Sequence, residues 1–184
     1  IKYVSEGRYD ALLAPAKKEA PHLVFPNFSV GHQQMCFFID SNSTWRYSNK
    51  QSLKDLKIGI ANDTSIEELN GYIKENPEQF HYQPYHERFV AQNAGKVLKK
   101  RIDAFIFTKN TTLYELKNEN LHHKIKNAGC VSKAEIFLAF TPENKKKQQI
   151  NKMINYFNKR MALLMEAGEI NKIHQKYGIQ LTNL

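Results

Sequence analysis

Cysteine and tryptophan are scarce in this chain, which holds two cysteines and one tryptophan among 184 residues. Cys36 and Cys130 lie far apart and form no C-x-x-C or Cys/His ligand spacing, so no metal site is expected on them. Both lie in apolar, strand-like segments, which favours buried free thiols. A disulfide is the alternative, if the compartment is oxidising and the two strands are neighbours.

Long apolar runs are also missing. A helix that crosses a bilayer needs about 20 predominantly apolar residues, and no stretch approaches that length. No signal peptide opens the chain, which is typical of a mature or trimmed product. The hydrophobic share of 41% is nevertheless enough to bury a core.

Acidic residues are few relative to basic ones, with 18 against 27, for a net charge of +9. This raises nucleic acid or an anionic surface as partners. The lysines are scattered, however, and the densest group, at 145–147, lacks the interleaved aromatics of a single-strand binding groove. A solvated helix face explains it better, and nucleic acid is not an expected partner.

No catalytic grouping stands out. The sequence has no Ser/His/Asp or Cys/His arrangement, and its seven histidines are dispersed. Glu19 is a candidate proton donor by position only. We therefore expect no enzymatic activity and no cofactor.

The stretch LKIGIANDTSIEELN, residues 56–70, is the most informative part of the chain. It reads as a buried strand, a polar turn and a helix start, with Ser65 and Glu68 spaced as a capping box. Free N–H groups and partial positive charge at a helix start suit a carboxylate or phosphate. The alternative is that Ser65 only caps the helix.

Strands and helices alternate along the chain, which predicts an α/β fold around a mainly parallel sheet. The predicted strands are 9–14, 34–39, 56–61, 80–84, 103–108 and 134–140. Predicted helices run from 65 to about 77, from 86 to 101 and from a cap at Asn110. Ligands bind at the carboxyl ends of such strands, which here bring Thr64, Ser65, Thr108 and Asn110 into consideration.

The last segment carries the clearest helical pattern, with apolar residues at three- and four-residue steps between Ile150 and Met165. Gly168 is expected to end this helix, and a short second helix follows. The methionines at this spacing are expected to be core residues.

Five sequence pieces, in order, resemble one known family. They are GRYDALLAP, LVFPNFSVGHQQMCFFI, SLKDLKIGIANDTSIEEL, VLKKRIDAFIFT and MEAGEINKIHQKYGI. They resemble the bacterial extracellular solute-binding proteins of the polar amino acid type (family 3), which are the receptors of ABC importers. The resemblance covers essentially the whole chain.

This resemblance implies a two-lobed, type 2 periplasmic-binding-protein-like α/β fold. Residues 1–35 and 140–184 are expected to form part of the first lobe and 36–139 the second, joined by crossing strands 34–39 and 134–140. The family's first strand and helix are expected to lie upstream of Ile1. The implied protein is periplasmic, or extracellular and membrane-associated. Its implied partners are a small solute and an ABC permease, and the protein itself is expected to be a monomer.

The sequence departs from the family at its charge anchors. Family members that hold an α-amino acid use an Arg in a first-lobe turn for the carboxylate and an Asp at a strand end for the ammonium. Here the turn carries Lys17 and Lys18, the strand ends in Thr108, and Asp63 replaces a glycine. Lysine offers no bidentate fork and threonine no negative charge, so a standard α-amino acid ligand is not expected.

The candidate ligand-binding residues fall into three groups. The second lobe contributes Asp63, Thr64, Ser65, Thr108 and Asn110; the first contributes Phe28, Ser29 and Gln33; and Trp45 and Arg46 are candidates at the cleft edge. Alternatives stay open: Ser65 and Asn110 as helix caps, Phe28 as packing, Trp45 as surface.

The predicted function is capture of a small polar solute, amino-acid-like or another organic anion, between two lobes for ABC-type import. The alternative is a sensor or orphan module with the same fold and no transport role, motivated by the loss of both charge anchors. Hinge closure around the ligand serves either role.

Overall fold

The computed structural model describes residues 1–62 and 64–179. The chain divides into two compact units: unit 1 comprises Ile1–Gln33 and Ala134–Leu184, and unit 2 comprises Gln34–Lys133. The sequence placed these divisions at 35/36 and 139/140. In the structure the divisions lie at 33/34 and 133/134, which is two and six residues earlier. The second falls inside the long strand Ile125–Phe140, where no break in the sequence pattern marks the change of unit.

The elements alternate much as their sequence patterns predict. The strands are β1 (Ala11–Ala16), β2 (Gly31–Asp40), β3 (Ile58–Ala61), β4 (Phe80–Gln83), β5 (Ala104–Thr108) and β6 (Ile125–Phe140). The α-helices are α1 (Lys2–Ser5), α2 (Asn70–Glu75), α3 (Phe89–Leu98), α4 (Lys109–Asn118), α5 (Lys147–Glu166) and α6 (Glu169–Lys176). Among the helices described, none is long and apolar enough to cross a membrane.

Unit 2 is built on a mixed sheet with the strand order β6-β2-β5-β3-β4. Strand β3 is parallel to both neighbours: Ile58 pairs with Phe80 of β4 and with Ala104 of β5. The parallel prediction is confirmed for these three strands, whereas β2 runs antiparallel to β5. The carboxyl ends of β3, β4 and β5 therefore meet at one edge of the sheet.

Both faces of this sheet are buried. Alternate residues of β5 point to opposite faces, so Ala104 and Ile106 join one core cluster and Phe105 joins the other. Ile73 of α2 packs in the first cluster, while α3 and α4 supply Phe89, Val90, Ala94, Val97 and Leu116 to the second. Apolar runs rather than simple alternation in these strands follow from burial on both sides.

Gly59 allows α3 to approach β3 closely. A Cβ atom at this position would lie 2.2 Å from Oδ1 of Asn93, which is fully buried. The Asn93 amide donates to the Phe89 carbonyl at 3.0 Å, and its Oδ1 accepts no hydrogen bond from the described residues. Only glycine fits the space between this helix and this strand.

The two cysteines form a disulfide between β2 and β6, with Cα atoms 3.9 Å apart. The expectation of free thiols is therefore wrong, and the alternative that the strands are neighbours is the one realised. Sequence patterns cannot decide this, because they place both cysteines in strand-like segments without showing that β2 and β6 are neighbours in the sheet. The bridge spans 94 residues of sequence and lies within unit 2.

Unit 1 has a much smaller core. Strand β1 pairs antiparallel with the last residues of β6, and the buried cluster consists of Val4, Ala20, Leu23 and Ala139. Helices α5 and α6 are confirmed, with Gly168 between them at a φ of +70°. The methionines are not core, however: Met153 and Met165 are exposed, and Ile150 is the one buried residue of α5.

Candidate ligand site

Polar side chains collect where β3, β4 and β5 end. Gly59 of β3 pairs with Phe105 of β5, and the continuation of this register places Thr108 level with Asn62. Gln83, the last residue of β4, lies beside Ala61 and accepts the Asn62 N–H at 2.9 Å through its carbonyl oxygen. Three strand ends of unit 2 therefore supply one polar edge, as expected of a parallel sheet.

The segment after β3 differs from its prediction. Helix α2 begins at Asn70 rather than at Ser65, and its cap position, Leu69, makes no side-chain hydrogen bond. The Asn70 side chain explains the delay, because it accepts from the Ile66 N–H and donates to the Ser65 hydroxyl, each at 2.9 Å. Such side-chain bonds compete with the first helical turn, so the predicted helix N-terminus at Ser65 is wrong.

The segment before α2 is therefore not the helix N-terminus at which the sequence predicts an anion-binding site. Thr64 is half-buried, its N–H reaches the Ala61 carbonyl at 3.4 Å, and its hydroxyl bonds no described residue. Asp63 lies outside the described residues. Glu68, the other residue of the predicted capping box, lies near the Tyr47 hydroxyl. Burial raises the pKa of Tyr47, and the nearby Glu68 charge raises it further.

The end of β5 is open to polar contact. Thr108 is half-buried and occupies the cap position of α4, but its side chain makes no cap bond. Its carbonyl accepts from the Thr112 hydroxyl at 2.8 Å, whereas its own hydroxyl has no hydrogen bond within the described part of the chain. Asn110 is exposed in the first turn of α4, so its predicted capping role is wrong.

Two groups at this edge were missed by the sequence reasoning. Nζ of Lys96 contacts Oε1 of the buried Gln83, and Tyr85 stacks on Phe107 with ring centroids 5.4 Å apart. Tyr85 is 58% exposed as a residue, so it offers an aromatic surface beside Thr108. The strand-end rule that selected Thr64 and Thr108 also applies to Gln83 and would have found it.

The remaining candidates lie elsewhere. Phe28, Ser29 and Gln33 belong to unit 1, where the segment is held by hydrogen bonds from Asn27 N to Asn158 Oδ1 and from Val30 N to the Ile136 carbonyl. Trp45 and Arg46 belong to unit 2 but not to the polar edge. Trp45 lies near Leu56 and Asp103, which precede β3 and β5, and Arg46 donates to the Asn127 carbonyl at 2.6 Å.

The first-lobe turn has its own internal contacts. Lys17 places its ammonium 4.5 Å from the centre of the Phe137 ring. Glu19 accepts the Ala16 N–H at 2.8 Å and thereby closes the turn, which is a structural role. Among residues 1–62 and 64–179, no three His, Cys, Asp or Glu side chains are grouped to hold a metal.

Solved structures show which fold this is. A histidine kinase sensor domain with similarity to periplasmic binding proteins matches with a TM-score of 0.68 at 15% identity, over 96% of this chain and 72% of its own. A mutant of ArgBP from T. maritima gives 0.67 at 11%, over 97% and 73%. AbpA from Streptococcus pneumoniae, an amino acid ABC transporter substrate-binding protein bound to L-arginine, gives 0.66 at 13%, over 96% and 70%.

The chain thus has the α/β fold of periplasmic binding proteins, as the resemblance of its five sequence pieces implies. No protein-family profile and no curated protein sequence matches it. At identities of 11–15% the likeness concerns the fold, and function has to be argued from the site.

Proposed function

We propose that this protein acts outside the cytoplasm, where it binds a small polar solute and delivers it to an ABC permease in the membrane. The observation that carries the proposal is the polar edge of unit 2, where the hydroxyls of Thr64 and Thr108, at the ends of parallel strands, bond no residue in the described part of the chain. The similar folds of an amino acid transporter's binding protein and of ArgBP support it. The site requires neither cofactor nor catalytic group, and we propose a monomeric receptor with no enzymatic activity.

The ligand class follows from the charges at this edge. Thr108 supplies hydrogen bonds but no negative charge to hold an ammonium. Lys96 and the half-buried Lys109 supply positive charge. We therefore propose an organic anion or a neutral polar solute, with Tyr85 contacting any apolar part of the ligand.

A thermal-shift screen of metabolites tests this on the full-length protein. A ligand at a hundred times its dissociation constant stabilises the folded state by about 2.7 kcal/mol. The Thr64→Val and Thr108→Val variants keep the side-chain shape and remove the hydroxyl, so both should weaken the response. Thr44→Val, which changes an exposed threonine in the segment between β2 and β3, is the matched control. A complete screen without any stabilising solute would contradict the proposal.

A variant of Thr108 tests the charge of the ligand. Thr108→Asp places a carboxylate at the end of β5, where the solute-binding family that this sequence resembles carries an Asp. In titration calorimetry, it should raise the affinity for ligands with an ammonium group and lower the affinity for anionic ligands. Equal affinities before and after this change would show that Thr108 does not contact the ligand.

The second candidate is a sensor module. It is favoured by the match to a histidine kinase sensor domain. A kinase or cyclase domain in the same polypeptide or a neighbouring gene would support this role, and a neighbouring permease gene would support import. Solute binding at the polar edge is expected in both cases.

A further inference from the structure

A cavity of about 370 Å³ opens in unit 2 at the amino ends of the parallel strands. Leu56 precedes β3, and Ile102 and Asp103 precede β5. Thr64 and Thr108 lie at the opposite ends of these two strands. The cavity is therefore separate from the polar edge and plays no part in the proposed solute site.

The cavity has an apolar floor and one fixed aromatic wall. Ile39, Leu56, Val97 and Ile102 supply the floor. The wall is Trp45, whose Nε1 donates to the Ser52 carbonyl at 2.9 Å and whose ring meets Phe37 edge-on at 5.6 Å between centroids. Because both contacts hold the indole in place, the ring can serve as a preorganised binding surface.

The rim carries two carboxylates and one ammonium group. Asp40 accepts the Asn42 N–H through Oδ1, and Asp103 accepts the Lys57 N–H through Oδ2, each at 2.8 Å. The second oxygen of each bonds no described residue, and neither carboxylate is in an ion pair among residues 1–62 and 64–179. The charged residues that line the cavity, Asp40, Asp103 and Lys100, sum to a charge of −1, although the chain as a whole carries +9 and the Lys126 ammonium lies nearby, on the Ser41 carbonyl.

We propose that this cavity binds a small organic cation with an apolar body, such as an arylalkylamine. The apolar body would lie on the aliphatic floor beside Trp45, where its burial is favourable. The ammonium would bind the open oxygens of Asp40 and Asp103 and gain from the nearby indole face. Apolar floor, fixed indole and unpaired carboxylates together define this class of ligand, and an anion is disfavoured.

Trp45 reports on this cavity directly, because it is the sole tryptophan of the chain. Its fluorescence is titrated with phenethylamine, and with phenethyl alcohol and hydrocinnamate as neutral and anionic compounds carrying a similar phenyl body. A saturable change with the amine, and a much weaker one with the other two, is expected. No saturable change, or equal affinity for all three, would overturn the proposal.

Charge variants separate binding from nonspecific quenching. The double change Asp40→Asn and Asp103→Asn keeps an acceptor oxygen for both backbone N–H groups and should weaken phenethylamine binding about fivefold or more. Lys100→Gln should strengthen it, because the competing ammonium is removed. Glu78→Gln changes an exposed acid of the same unit outside the cavity and should leave binding unchanged.

The aspartate and lysine variants each have an outcome that would overturn the proposal. Unaltered affinity in the aspartate variant, with its fold verified by circular dichroism, would overturn it; if that variant fails to fold, a lack of effect in Lys100→Gln would do so. Thr64→Val and Thr108→Val should leave this titration unchanged. The two sites can therefore fail independently.

Discussion

Unit 2 and unit 1 share the same kind of sequence patterning but not the same burial. In unit 2 the sheet has a buried cluster on each face, and α3 and α4 bury Phe89, Val90 and Leu116 completely or nearly so. In unit 1, α5 is twice as long as either helix yet buries Ile150 alone. An amphipathic pattern therefore identifies the apolar face of a helix, and packing partners decide whether that face is buried.

The exposed apolar residues of unit 1 sharpen this contrast. Tyr156 and Leu163 of α5 are 69% and 47% exposed, and Leu13 of β1 is 72% exposed. The solved neighbours have longer chains, of which 70–73% is matched here. These exposed apolar side chains contrast with the buried apolar faces of α3 and α4 in unit 2.

The largest expected difference between the units comes from a matched pair of leucines. Leu116→Ala in α4 removes a side chain that is 1% exposed and should lower the free energy of unfolding by about 2–5 kcal/mol. Leu163→Ala in α5 should change it by less than about 0.5 kcal/mol, because that side chain already contacts water. Urea unfolding of both variants measures this. Similar losses in the two would show that α5 is buried in the protein in solution.

A somewhat smaller effect is expected from the disulfide. Replacing Cys36 and Cys130 together with alanine opens a link across 94 residues of unit 2 and should destabilise it by about 2–4 kcal/mol. Hydrogen exchange should show faster opening in β2 to β5 and little change in β1 and α5. Reductant should reproduce the effect in the parent protein, and no shift from either treatment would mean that the bridge is absent in solution.

The smallest of the three expected effects concerns the close approach of α3 to β3. Gly59→Ala should destabilise unit 2 by about 1–3 kcal/mol, because the added methyl overlaps Oδ1 of Asn93. Combining it with Asn93→Ala should cost less than the sum of the two single changes, since the overlap is relieved. Gly71→Ala, at an exposed helical glycine with open space around its Cβ position, is the control. Additive losses would contradict the packing argument.

Much of the candidate site was accessible from sequence because strand ends are local features. Apolar runs ending in polar residues located Thr64 and Thr108, and the parallel pairing of β3 with β5 places both strand ends at one edge of the sheet. Ser65 and Asn110 were misjudged as caps because a cap depends on where the first helical turn closes. In the structure Asn70 delays one helix, and the other begins at Lys109.

Trp45 shows a different limit of sequence reasoning. Trp45 lies in the polar segment 40–51 between β2 and β3, and its place in the fold depends on the path that this segment takes. That path places it at the amino ends of β3 and β5, away from the polar edge. A residue in a long connection can reach either end of a sheet, and local pattern carries no information about which.

The sequence by itself determined the order of strands and helices, the class of fold and the polar character of the strand ends, because these depend on side chains close together along the chain. The tertiary structure decided the pairing of Cys36 with Cys130, the exposure of the apolar residues of α5 and the cavity beside Trp45. Each of these depends on contacts between distant segments, where chain topology and the available packing partners fix the outcome.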